Sequence, residues 1–241
     1  MSRSDGRVAA QLRPFTAEPA VLARADGSAR WAHGLTECLV SVYGPCEAKR
    51  SREKIDAATL EVIVRPLSGL PGPVERETEQ LLCRTLEHAV LTQLHPRTAI
   101  SVIVQVLADD GALLSVAIHA ASLALMHAGV PMRGMLGSCT AALAPDGTVL
   151  LDPCAEEHRE ATGAVSLAYL VQQRAGGRAE RQLLLSHCNG RLTQVAQLEA
   201  AQRAAEEAAV VATAFMRQSL HRTTGPVSEV LRPQQMQPVE G

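Results

Sequence analysis

The sequence predicts an α+β fold, with helices packed on mixed, mostly antiparallel sheets, and three observations predict it. Runs with an apolar period of two alternate with runs whose apolar residues recur every three or four positions. Proline and glycine stand at most of the junctions. One central segment, Leu113 to Ala128, is apolar or small at nearly every position. The chain has 241 residues, enough to bury a core as a single domain. No linker divides it. Residues 1–11 read as an N-terminal arm, 12–221 as the domain, and 222–241, rich in Pro, Gln and Gly without a period, as a disordered tail.

Gly27 to Tyr43 alternates on either side of Gly34, behind the turn signal Asp26-Gly27, and reads as a strand pair. Gly44-Pro45 should end its second strand, because proline donates nothing to a ladder. The charged stretch Glu47 to Asp56 reads as a solvated loop or edge. Thr59 to Arg65 is a further strand with Leu60, Val62 and Val64 on one face, ended by Pro66. Beyond the breaker Leu70-Pro71-Gly72-Pro73 a helix begins, with Glu75, Glu77 and Glu79 where a helix N-terminus favours negative charge. Its stripe of Leu82, Leu86, Ala89, Val90 and Leu94 runs to His95-Pro96. Ala99 to Leu107 is β-branched on both faces and reads as a mid-sheet strand buried on both sides.

Leu113 to Ala128 is apolar all round, hence a buried helix, stopped at Gly129; Ala120, Ala121 and Ala124 would let it lie close to a sheet. Cys139 to Leu143 and Thr148 to Leu151 form a hairpin about Pro145-Asp146-Gly147. Val165 to Gln172 and Gln182 to His187 form another, with its tip at Arg174-Ala175-Gly176-Gly177. A last helix, N-capped by Thr193, carries Val195, Leu198, Ala205, Ala209, Ala212, Phe215 and Met216 as its apolar face. The two strand-rich halves around the central helices suggest an old duplication.

Composition excludes several classes. Hydrophobic residues are 46% and charged residues 20%, which is globular rather than disordered. Aromatic residues are only 2%, so base stacking on rings is not a main mode of binding. A net charge of −2 leaves any nucleic-acid contact to local patches. The start lacks the apolar region of a signal peptide and no stretch is long and apolar enough to span a bilayer, so the chain reads as soluble and intracellular. Cys38, Cys46, Cys83, Cys139, Cys154 and Cys188 form no C-x-x-C pair and read as reduced thiols.

Three places could carry chemistry. Asp109-Asp110-Gly111 precedes the buried helix, where free amides hold phosphate in other proteins, yet an anion would meet two carboxylates; an acid-capped turn is the better reading. Asp152 to Glu160 could supply paired carboxylates, but such a run reads first as a solvated helix start. His158 beside Glu157 could act as a base, with no nucleophile placed against it. His119 and His127 share a helix face without a third ligand and read as satisfied histidines rather than a metal site.

Several strings in order, Leu12-Arg13-Pro14, Asp26-Gly27-Ser28-Ala29, Tyr43-Gly44-Pro45, Ala58 to Pro66, Gly69 to Gly72, Leu94 to Thr98, Ala128 to Met132 and Leu151-Asp152-Pro153, make the chain resemble the RNase PH family from about Leu12 to His221. Active members release the last nucleotide of an RNA 3′ end with inorganic phosphate. The resemblance implies the family's fold and places its Gly-Gly-Thr-Arg turn on Gly111-Ala112-Leu113-Leu114. An upstream arginine falls on Val74, an acidic segment on Glu157-His158-Arg159, and a second acid on Ala164. Only Glu157 keeps its carboxylate, so no catalytic residue, metal or cofactor is expected.

The resemblance further implies a non-catalytic subunit of the six-membered RNA exosome ring. Its partners would be other RNase PH-like ring subunits, RNA-binding cap subunits, an associated exoribonuclease and RNA, without a membrane, in nucleus, nucleolus and cytoplasm. Arg76 and Arg84 on the first helix are the candidate RNA-binding residues. Two other classes stay open: a residual phosphorolytic or hydrolytic 3′-exoribonuclease, and an unrelated binding module.

Overall fold

The structure, a computed structural model, describes residues 3, 5–173, 179–192 and 194–224. Two sheets enclose a central helix. The first holds β1 (Phe15–Pro19), β2 (Gly27–His33), β3 (Thr36–Glu47), β4 (Thr59–Arg65) and β5 (Thr98–Ala108), in the order β1-β2-β3-β5-β4. Only β4 and β5 are parallel, joined through α1 (Pro73–Ala89). The second sheet, β7-β6-β8-β9, is antiparallel throughout: β6 (Met135–Leu143), β7 (Val149–Leu151), β8 (Gly163–Gln173) and β9 (Ala179–Gly190).

Helix α2 (Leu113–His127) lies between the sheets, with every residue from Ser115 to Leu125 buried. The small-residue reading holds: a Cβ on Gly27 would stand 2.4 Å from the Ala124 carbonyl oxygen. Helix α4 (Val195–Thr224) covers the far face of the second sheet, where Ala201, Ala205 and Ala209 meet Cys139, Ala141 and Leu167. A short helix, α3 (Ala155–Glu160), joins β7 to β8. Among the described residues no helix is long and apolar enough to cross a membrane.

Several expectations are corrected. Strand β3 does not stop at Gly44-Pro45. Tyr43 pairs with Ser101 and Cys46 with Ala99, so the two intervening residues form a bulge where proline owes the ladder no donor. Helix α1 ends at Ala89, short of Leu94. Val90 turns extended and bridges to Met132, and Leu94, in a 3-10 turn, is 60% exposed. Strand β5 is buried on one face only: Ile100, Val102, Val104 and Val106 point to α2, while Ser101, Ile103 and Gln105 are half-buried. The doubly buried strands are β6 and its neighbour β8, because α2 covers one face of them and α4 the other.

Val195 is exposed at the outer end of α4, although the rest of the expected face packs inward. The hairpin tip from Arg174 and the Thr193 cap lie outside the described residues, as does the expected tail from residue 225 on; residues 222–224, expected in that tail, instead close α4. Two glutamates of α1 serve the neighbouring backbone: Glu75 accepts the Gly72 N–H at 2.7 Å, and Glu79 accepts the Val64 N–H at 2.8 Å, covering part of the free edge of β4.

Gly27→Ala is expected to cost about 1–3 kcal/mol through overpacking against α2. Gly137→Ala is expected to do the same, since its Cβ would stand 2.4 Å from the Ala209 carbonyl oxygen on α4. Urea unfolding midpoints of the two variants check both.

Candidate functional site

A cleft of about 260 Å³ opens where α1, the β5–α2 turn, α3 and the second sheet meet. The chain brings Val74, Gly111 to Leu114, His158 and Ala164 to its wall, although up to 90 residues of sequence separate them. Those are the positions onto which the family resemblance carries catalytic groups; Glu157, the one retained acid, is not among the lining residues. No lysine or arginine lines the cleft among the described residues.

The turn at its floor is the acid-capped one expected. Gly111 and Ala112 both take positive φ, 88° and 55°, which folds the backbone tightly into α2. The Asp109 carboxylate accepts the Gly111 N–H at 3.0 Å, so a resident anion already faces the positive end of the helix. The carbonyls of Asp110 and Gly111 accept from the Arg13 guanidinium.

The sequence reading missed the polar part of the wall: Thr140, Ser166, His187 and Asn189. Thr140 Oγ1 lies 2.8 Å from Ser115 Oγ and 3.0 Å from Ser166 Oγ, and Ser138 Oγ donates to the Leu167 carbonyl. These hydroxyls satisfy one another between α2, β6 and β8. A signal existed in the alternation of Ser138 and Thr140 with Cys139 and Ala141, which sets the two hydroxyls on one face of β6.

The acidic run Asp152 to Glu160 does start a helix with Glu156, His158, Arg159 and Glu160 exposed, as expected, but Asp152 and Glu157 are not solvated: cationic groups remote in sequence pair with them. Asp152 is 2% exposed. It accepts Arg13 Nη2–H at 2.7 Å, Arg13 Nε–H at 3.0 Å and the Arg13 backbone N–H at 3.0 Å. Its burial favours the neutral acid, but the hydrogen bonds from His33 and Arg13, with the charge of Arg13, prevail and hold the carboxyl well below the usual range. Glu157 receives Arg3 from the N-terminal arm in a bidentate pair of 2.7 and 2.8 Å and caps α3 through the Cys154 N–H. Its carboxyl is likewise lowered: burial opposes ionisation, and the Arg3 and Cys154 hydrogen bonds outweigh it. Arg3 also donates to the carbonyls of Leu151 and Asp152, so the arm is strapped to the loop before α3.

The buried histidines form a chain with one direction. The Ser138 backbone N–H donates to His119 Nε2 at 2.8 Å, so the His119 proton sits on Nδ1. That proton points at His33 Nε2, 3.1 Å away, which leaves the His33 proton on Nδ1, facing Asp152 at 3.4 Å. Burial, with the nearby His33, pushes His119 well below the ordinary histidine value. His127 accepts the Ser28 N–H, so both helix histidines are satisfied, as expected. Arg76 and Arg84 sit on the exposed side of α1, away from the cleft wall, and neither pairs with an acid among the described residues.

Two sheets around a buried helix, with a cleft at that helix's N-terminus, make up an RNase PH fold. The chain belongs to the RNase PH family: the family model described as "3' exoribonuclease family, domain 1" matches residues 11–131. An Arabidopsis thaliana relative called "Exosome complex exonuclease RRP46 homolog" is 42% identical over 171 residues, 71% of this chain and 70% of that protein. The like-named protein of Oryza sativa subsp. japonica is 42% identical over 170 residues, 70% of each chain. The crystal structure of rice Rrp46 superposes with a TM-score of 0.82 at 35% identity, covering 90% of this chain and 100% of that one.

Asp152→Ala strands the buried Arg13 and is expected to cost about 3–5 kcal/mol, read from urea unfolding at pH 7. Because the folded His119 binds its proton less readily than the unfolded one, stability is expected to fall as the pH drops below about 6.5. Because the Asp152 and Glu157 carboxyls are lowered, their contribution is complete above about pH 5 and drains as the pH falls below it. Urea unfolding from pH 8 to 3 checks both windows, and His119→Gln should remove the upper one.

Proposed function

We infer that the chain is a non-catalytic, RNase PH-like ring subunit of an RNA exosome, supporting 3′-to-5′ RNA processing and decay by scaffolding the RNA channel. One observation carries the reading: Val74, Leu113, Leu114, His158 and Ala164 stand together in the cleft, where the family resemblance puts cations, a hydroxyl and acids. Preorganised donors are each worth about 2.7–4 kcal/mol to a transition state, so a wall without them has little with which to steady a phosphate or a departing nucleotide. The names of these relatives contain the word exonuclease; the composition of this cleft argues for an assembly role instead.

The partners in this reading are related RNase PH-like ring subunits, RNA-binding caps, a separate exoribonuclease and RNA, and the compartments are nucleus, nucleolus and cytoplasm. Arg76 and Arg84, exposed on α1, contact RNA phosphate, and the domain these roles need is 12–221.

Purified chain incubated with a 5′-labelled single-stranded RNA, phosphate and magnesium is expected to release no nucleoside diphosphate. Phosphate-dependent shortening that co-purifies with the chain would replace this reading with the enzyme. In an assembled ring, Arg76→Ala with Arg84→Ala is expected to weaken RNA binding and to flatten its dependence on log salt by roughly 0.7 per lost phosphate contact, measured by titration at several salt concentrations.

A further inference from the structure

The mouth of the cleft is apolar and acidic, and an adjoining groove continues it. Val64, Pro66, Leu67, Val74, Val106 and Leu113 give that groove its apolar wall, in a space of about 110 Å³, the scale of a single aliphatic side chain. Cleft and groove share Val74, Thr78, Asp109 and Leu113. Leu67 and Val74 are 63% and 70% exposed on its lip, and Leu70 between them is 92% exposed. Apolar side chains this open, clustered about a concavity, mark a surface that gains by being covered.

The charges around it decide what covers it. Glu75, Glu77 and Asp109 stand among the lining residues, with His158 and His187 deeper in the cleft, and among the described residues no lysine or arginine lines either space. Glu77 is well exposed, with His187 Nε2 at 3.9 Å. A polyanion entering here meets carboxylates and leucines; a cation finds acceptors beside an apolar slot.

We propose that this cleft and groove are a docking site for a short protein segment carrying aliphatic side chains flanked by lysine or arginine. The proposal rests on the reading above, that the cleft does not hold phosphate, and adds an occupant of stated chemistry. One aliphatic side chain fills the groove between Leu67, Val74 and Leu113. The flanking cations meet Glu77 and Asp109, supplying specificity and rate of encounter more than affinity.

The test is an NMR titration of the isotopically labelled full chain, following the backbone amides of Val74, Thr78, Leu113 and Leu114. Four probes are compared: a hexapeptide with leucine and isoleucine between two Lys-Arg pairs, the same peptide with two serines at its centre, the same peptide with glutamates in place of the cations, and a six-nucleotide oligoadenylate. The first is expected to shift these amides saturably, the serine and glutamate peptides to bind at least tenfold more weakly, and Val74→Arg, a change at an exposed position, to weaken the first at least tenfold. No saturable shift with the first peptide, equal binding of the serine peptide, or tighter occupation of the same amides by oligoadenylate would overturn the proposal. Shortening of the oligoadenylate in phosphate is scored separately: it would remove the ring-subunit reading, whereas the peptide comparison decides the docking site.

Discussion

Asp152 is buried, ionised and held at a φ of 50°, and each of these is costly for an aspartate taken alone. It persists because Arg13 wraps it. The same guanidinium donates to Thr36 Oγ1 and to the carbonyls of Asp110 and Gly111, while Asp152 itself is anchored through its N–H to the Thr140 carbonyl. One ion pair therefore joins the entry of the chain, the β2–β3 hairpin, the turn into α2 and the second sheet. The cleft owes its floor to that junction, since Gly111 and Ala112 keep their left-handed geometry where Arg13 and Thr36 hold the carbonyl of Gly111.

The histidine chain extends the junction inward. Phe15, Trp31, Phe215 and the rings of His33 and His119 pack against one another, so much of a small aromatic complement is spent on one seam between the two sheets. That placement explains why a chain with so few rings has little left for stacking on bases. It also buries the His33–His119 contact, and burial holds His119 neutral.

Much of this was legible in the sequence, and what was missed has a common cause. Period-two runs located the principal strands, and the all-apolar run located α2, because those signals lie between near neighbours in the chain. The family resemblance named Val74, Leu113, Leu114, His158 and Ala164, which do meet in one cleft. Asp152 and Glu157 were read as solvated because Arg13 and Arg3, which neutralise them, lie 139 and 154 residues away. β-branching in β5 suggested burial on both sides, yet how many faces are covered depends on which layers stack, and only β6 and its neighbour β8 lie between two helical layers. The Gly44-Pro45 bulge and the early end of α1 were hidden likewise, since both are settled by pairing with remote strands or loops.

The clamp around Asp152 also has an order in time. A ribosome delivers Arg13, Thr36 and Gly111 first, and at about 5–20 residues per second the 41 residues from Gly111 to Asp152 follow over roughly 2–8 seconds. During that interval the first sheet is complete as a polymer, but the Arg13 guanidinium lacks its buried partner Asp152 and has only the half-exposed Asp110 carboxylate, 3.6 Å away in the finished fold, and α2 lacks the second sheet. Until Asp152 is made, the N-terminal half lacks this lock and the apolar face of α2 lacks its cover. A synonymous change that slows translation between those two residues would lengthen that stage without altering a single side chain of the finished protein.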